Sequence, residues 1–262
     1  MYWYNGNLIN NHTLELNIND PSLLYGATVF TTLRVYQKSL NHPLTNWQKH
    51  RDRLTNSLTS FDWPSPNWLH IYQGAEILSQ SFPVLRITIL SEGRELILPR
   101  KLPEDLAEKQ QLGIIAWLAD NSYNRVLPEH KTGNYLGAYL ALQQGQKLGA
   151  KEAILTDENQ NWLETSTGNL WGYKQGKYFT PPLSGILPGI SRQVLMNWLK
   201  SQNQIVEEVI WDEKLVKELE AIAYSNSVVE IIPIHTVITR QNPLIYNVNH
   251  PSLEILKKCY LS

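Results

Sequence analysis

Three segments of the sequence carry reactive groups in an order that could serve one chemistry. Lys131 stands immediately before Thr132-Gly133-Asn134 and offers a primary amine able to form a Schiff base with a carbonyl compound. Glu164 lies in Trp162-Leu-Glu-Thr-Ser-Thr-Gly-Asn-Leu-Trp171, at the end of an otherwise apolar strand and before small and hydroxylated residues. A carboxylate so placed could pair with a protonated pyridine nitrogen. Pro188-Gly189-Ile190-Ser191-Arg192 runs into a segment with Val194, Leu195, Trp198 and Leu199 at helical spacing. That is the pattern of a flexible turn delivering backbone N–H groups at a helix start, which suits a phosphate. Taken singly, each has an ordinary reading: a solvated lysine, a strand-end glutamate in water, a Gly-Ser helix cap. Together, an amine, an acid for a ring nitrogen and donors for a phosphate are what an enzyme using pyridoxal 5'-phosphate (PLP) requires.

The elements that must position these groups alternate between strand and helix. Tyr2 to Leu8 reads as a short hairpin turning at Asn5-Gly6, and Ala27 to Tyr36 as a β-branched strand. Trp47, Leu54, Leu58 and Phe61 recur at helical spacing, so Leu44 to Phe61 is predicted to be a helix carrying His50, Arg53 and Ser57. A second helix is expected near Trp68–Ser79, then strands at Val84–Leu90 and Gly113–Leu118. The polar stretch between Ala119 and Pro128 reads as a linker. Beyond it come a helix from about Asn134 to Leu148, a hairpin turning at Asp157–Asn161, another turning at Lys174–Lys177, the helix after Ser191, and a strand at Ala221–Ser225. This pattern predicts a mixed α/β, two-lobed fold, with an N-terminal domain at 1–118, a linker at 119–129 and a larger cofactor-binding domain at 130–262.

Composition narrows the partners. With 262 residues, 42% of them hydrophobic, the chain has ample material for a core. A formal charge of −1 gives no footing for a nucleic acid. The single Cys259 has no internal disulfide partner, which fits a reducing, cytoplasmic compartment, and no thiolate metal site is expected. No apolar run reaches the ~18–20 residues that span a bilayer, and the N-terminus shows no secretory pattern.

The segments together resemble the class IV (fold type IV) aminotransferases, the family of branched-chain and D-amino-acid aminotransferases and aminodeoxychorismate lyases. The likeness runs through Tyr4-Asn5-Gly6, Tyr25-Gly26-Ala-Thr-Val-Phe-Thr-Thr-Leu-Arg34, His50-Arg-Asp-Arg-Leu-Thr-Asn-Ser57, Lys131-Thr-Gly-Asn134, Glu164–Trp171, Leu187–Arg192 and Ser225-Asn-Ser227 to Pro233. It implies that Lys131 holds PLP covalently and that Glu164 faces the ring nitrogen. It further implies that Arg53, Ile190, Ser191 and Ser227 hold the phosphate, an arginine fork being well shaped for a dianion. Arg86 and Arg94 fall where family members contact substrate carboxylates or pack beside them, a surface ion pair being the ordinary reading of either, and Tyr25 is assigned to the substrate with them. The family also implies a homodimer.

The resemblance leaves two reactions open, since transamination and elimination both begin with proton removal, for which Lys131 would be the base. Many transaminases of the family carry glutamate directly after the Phe of the first strand, whereas lyase members often show Phe-Thr-Thr, as in Phe30-Thr31-Thr32. Thr31 is therefore expected near the reacting carbon, and the substrate to be 4-amino-4-deoxychorismate, cleaved to 4-aminobenzoate for folate synthesis and pyruvate. Gly26-Ala27-Thr28 and Gly133-Asn134-Tyr135 lean instead toward branched-chain enzymes, so transamination of branched-chain or D-amino acids is the alternative. A PLP-binding protein without turnover is a third reading.

Overall fold

A computed structural model describes residues 1–261 and divides the chain into two compact units. The first comprises Met1–Pro103 with His130–Asn134, the second Glu104–Glu129 with Tyr135 onward.

The first unit contains β1 (Tyr2–Tyr4), β2 (Asn7–Ile9), α1 (Pro21–Leu24), β3 (Thr28–Arg34), α2 (Trp47–Ser60), α3 (Trp68–Ser79), β4 (Val84–Leu90) and β5 (Glu95–Arg100). Its strands form one sheet in the order β2-β1-β5-β4-β3. The first hairpin turns at Asn5 and Gly6 with φ of 45° and 79°, the left-handed pair that matches strand twist in a tight turn. Along β3 the side chains alternate, and Val29 and Leu33 join Leu85, Ile87 and Ile89 of β4 in a core that includes Leu54 and Leu58 of α2 and Ile71, Ala75 and Leu78 of α3.

The second unit contains α4 (Leu106–Leu112), β6 (Ile114–Leu118), α5 (Leu136–Lys147), β7 (Glu152–Thr156), β8 (Trp162–Thr165), β9 (Asn169–Lys174), β10 (Lys177–Thr180), α6 (Ile190–Ser201), β11 (Ile205–Glu208), α7 (Glu213–Glu218), β12 (Ala221–Asn226), β13 (Glu230–Ile238), β14 (Leu244–Ile245) and α8 (Pro251–Lys258). The strands follow the order β11-β10-β9-β12-β13-β6-β7-β8, and β14 pairs with β13. Trp171, Leu195, Leu199, Ala223, Ile231 and Leu256 belong to its main core.

The units differ from the domain division expected at 119–129. β6 lies between β13 and β7 and is parallel to both, so 114–118 belongs to the second sheet. The segment around Lys131 returns to the first unit, where Thr132 bridges Val29 in antiparallel sense. The β6–β13 and Thr132–Val29 pairings join residues more than a hundred positions apart, which no local pattern announces. No helix among the described residues is long and apolar enough to cross a membrane.

Candidate active site

In the first unit, the edge of β3 positions the lysine. The Phe30 N–H donates to the Lys131 carbonyl at 2.8 Å and the Gly133 N–H donates to the Thr28 carbonyl at 2.8 Å. With Val29 opposite Thr132, Phe30 stands opposite Lys131 and Thr31 opposite His130, and opposed residues share a face. Lys131 accordingly brings its Nζ to 4.9 Å from the centre of the Phe30 ring. Arg86, paired with Thr32 on the same face, places its guanidinium carbon 3.5 Å from that ring centre. Two cations therefore share one aromatic ring.

The opposite face of β3 carries Thr31, fully buried. Its Oγ1 accepts from Arg53 Nη2 at 2.5 Å and lies 2.5 Å from His50 Nδ1. An oxygen that accepts from the guanidinium has its own proton to give, so the consistent assignment is Thr31 donating to an unprotonated His50 Nδ1. Burial, then the charges of Arg53 and Lys131, hold the His50 imidazole well below its usual range, so it is neutral at physiological pH. His130 continues this face, with Nδ1 3.0 Å from Ser57 Oγ and its ring 4.6 Å from Phe61. Thr31 therefore lies on the face of β3 opposite Phe30 and Lys131, with its hydroxyl on His50 and Arg53.

Two other expected substrate residues are placed differently. Arg94 donates to Asp20 at 2.5 Å, to Glu92 at 2.8 Å and to the Tyr4 hydroxyl at 2.8 Å. Two carboxylates therefore share its guanidinium. The Ser22 hydroxyl and then Arg94 lower the Asp20 carboxyl to about 2. Arg94→Ala should cost about 1–3 kcal/mol of stability, because it strips a buried carboxylate of its charged partner, and should leave the substrate KM unchanged. A folded pKa below the ordinary 3.8 means that the Asp20 contribution is present above that value and lost as pH falls toward about 2. The penalty of Arg94→Ala should shrink over the same window in denaturation curves. Tyr25 is 77% exposed, so no pocket of its own unit encloses it.

In the second unit, β8 delivers Glu164, buried, and the turn after it feeds β9. Glu164 Oε2 accepts from the Leu187 N–H at 3.1 Å, and Oε1 accepts from Arg125 Nη1 at 2.6 Å. A carboxylate offers about four lone-pair directions, so these two donors are compatible with a third, such as a ring N–H. Leu187 joins this carboxylate to the helix entry, since its carbonyl accepts from Asn169 Nδ2 at 2.9 Å. Two residues on, Gly189 caps α6, and a Cβ there would stand 2.0 Å from Asn169 Oδ1. The entry is therefore bare backbone, with the N–H groups of Ile190 and Ser191 at the positive end of a twelve-residue helix. Ser191 Oγ meets the hydroxyl of Tyr260, a half-buried residue whose phenol pKa desolvation pushes up. Ser227 is half-buried in the turn between β12 and β13, where Asn226 Oδ1 accepts from the N–H groups of Val228 and Val229. A carboxylate for a ring nitrogen next to an uncapped helix start fits a phosphorylated pyridine.

Sequence reasoning missed His50, Arg125 and Tyr260 as parts of these constellations. His50 falls within the quoted helix motif and could have been paired with Arg53 by its spacing of three. Arg125 and Tyr260 had no local signal, being 39 and 69 residues from their partners.

The pattern of the family described as amino-transferase class IV matches residues 28–237. The branched-chain-amino-acid aminotransferase of Escherichia coli (strain K12) is 25% identical over 266 aligned residues, covering 90% of this chain and 84% of that protein. The aminodeoxychorismate lyase of Vibrio harveyi is 23% identical over 263 residues, covering 93% of this chain and 94% of that one. A hypothetical aminotransferase from Mycobacterium tuberculosis, solved in its PLP-bound form, has the same fold with a TM-score of 0.84 at 18% identity, over 99% of this chain and 98% of that one.

Proposed function

Because the chain belongs to the amino-transferase class IV family, whose cofactor is PLP, we propose that it is a 4-amino-4-deoxychorismate lyase, releasing pyruvate and 4-aminobenzoate. Lys131 holds the cofactor, Glu164 receives its ring N–H, and Arg53, Ile190, Ser191 and Ser227 hold its phosphate. PLP supplies a carbonyl for the substrate amine and a protonated ring that accepts electron density as the adjacent C–H bond breaks.

The observation that carries the reading is the pair of cations, Arg86 and Lys131, on the Phe30 ring, on a strand face with no carboxylate among Thr28, Phe30, Thr32 and Arg34 or their partners in β4. With Lys131 engaged by the cofactor, the Arg86 cation and the lack of an opposing carboxylate suit this face to an acidic substrate. Arg86 binds a substrate carboxylate, and Lys131 removes the proton from the carbon that bears the amine. The C–O bond to the enolpyruvyl group then breaks, the departing enolate takes up a proton to become pyruvate, and the ring becomes aromatic. The sum is redox-neutral and effectively irreversible. Thr31 supports the same reading, since a hydroxyl in place of a glutamate adds no negative charge beside Arg53.

The test supplies purified protein with aminodeoxychorismate, made in place from chorismate and glutamine by a separate synthase. Pyruvate and 4-aminobenzoate should form one to one. Transamination is the second reading, supported by Gly133-Asn134-Tyr135 and by the 25% identity to a branched-chain enzyme. It requires that neither product form, while a branched-chain amino acid and 2-oxoglutarate yield glutamate. A cytoplasmic homodimer is the working form we assign to either enzyme.

A further inference from the structure

Arg125 lies in the polar stretch that the sequence reads as a linker, yet its side chain is buried to 5% exposure, as is that of Glu164, with 2.6 Å between them. The stretch is pinned before it. Asp120 accepts from the Ser122 N–H at 3.0 Å and from Arg240 at 3.1 Å. After Arg125 the chain turns outward through Val126, 64% exposed, and Leu127, 47% exposed with φ of 53°. The guanidinium carbon stands 5.4 Å from the Tyr135 ring centre, and a cavity of about 330 Å³ is lined by Arg125, Glu164, Leu155, Leu163, Ser184 and Gly185. A left-handed non-glycine residue and outward apolar side chains are unfavourable locally, so the inward arginine is what this loop conformation delivers.

The reason to bury it lies in the carboxylate. Burial drives a carboxylate toward its protonated form unless nearby charges and hydrogen bonds to the charged form outweigh it. Glu152 of β7 illustrates this in the same unit: burial raises its pKa although Ser166, Thr167 and the Ala153 N–H all donate to it. A protonated acid would present an O–H where a protonated ring nitrogen needs an acceptor. Glu164 differs from Glu152 in having a guanidinium within hydrogen-bond distance.

We propose that Arg125 is the positioning residue for Glu164, holding it as an oriented carboxylate so that it receives the cofactor's ring N–H. The inference rests on the reading that Glu164 faces the ring nitrogen. It adds that the loop residue, and not the strand alone, sets the strength of that contact.

The test compares equilibrium binding, followed by tryptophan fluorescence, of PLP and of its 1-deaza analogue, in which carbon replaces the ring nitrogen. Both keep the aldehyde and the phosphate, so the ratio of their affinities isolates the nitrogen contact. Glu164→Gln should collapse the wild-type preference for PLP. Arg125→Ala should lower the ratio by about ten- to a hundredfold, the range usual for loss of an outer partner. Arg125→Lys should restore part of it, and the double variant Arg125→Ala with Glu164→Gln should lose no more than Glu164→Gln alone. Should Arg125→Ala melt too low to measure, Arg125→Gln keeps volume and donors but no charge and must show the same loss. An unchanged ratio in the Arg125 variants beside a collapsed one in Glu164→Gln would overturn the proposal and leave Arg125 as a loop anchor. An unchanged ratio in Glu164→Gln itself would instead sink the reading of Glu164.

Discussion

Lys131→Ala is expected to lower turnover by about 10⁴-fold or more, since it deletes the proposed general base, a role worth up to about that factor, together with the covalent anchor. The fold should survive. Backbone hydrogen bonds tie this segment to β3, the Lys131 carbonyl accepting from Phe30 and the Gly133 N–H reaching Thr28, and these persist when the side chain is cut. Borohydride reduction of the PLP-loaded protein should leave the cofactor on the peptide bearing Lys131 and on no other lysine. Lys131→Arg keeps the positive charge beside Phe30 yet offers no amine of suitable basicity. It should be as inactive as Lys131→Ala, separating charge from chemistry. Wild-type-like turnover in either variant, or cofactor fixed to a different lysine, would remove Lys131 from the mechanism.

The residues that make this prediction possible were readable because their signals are local. Thr28–Arg34, Val84–Leu90 and Trp162–Thr165 are short β-branched or apolar runs bounded by turns, and α2 and α6 carry helical spacing. Local patterns place a residue on an element but not on a face in three dimensions. Alternation alone told that Thr31 and Phe30 point oppositely; it took the register of Val29 against Thr132 to show that Lys131 goes with Phe30. β5 was hidden because its run is cut by Pro99 and Arg100, and with it went the meaning of Arg94, whose partner Asp20 is 74 positions away. The two compact units depart from the division expected at 119–129 for the same reason. A polar stretch looks like a linker whether or not one of its side chains is buried on a carboxylate, as Arg125 is on Glu164.

Gly189→Ala should have the next largest effect, and it acts through backbone rather than through any reactive group. The added Cβ would lie 2.0 Å from Asn169 Oδ1, far inside van der Waals contact, and Asn169 is a short, buried side chain fixed to the Leu187 carbonyl. Either Asn169 moves and releases Leu187, or the first turn of α6 moves. Overpacking of this kind costs about 1–3 kcal/mol, so a lower melting temperature is expected. The sharper consequence is for the anion site. Displacing the N–H groups of Ile190 and Ser191 should weaken PLP by at least about tenfold, since each 1.4 kcal/mol of lost interaction is a factor of ten. Pyridoxal, which lacks the phosphate, should bind nearly as it does to the wild type. Asn169→Ala combined with Gly189→Ala removes the obstacle and should recover part of the PLP affinity. It should not recover all of it, because the Leu187 carbonyl then loses its donor and the loop beside Glu164 loosens. If Gly189→Ala bound PLP and pyridoxal in the wild-type proportion, the start of α6 would not be the phosphate site, whatever the melting temperature showed.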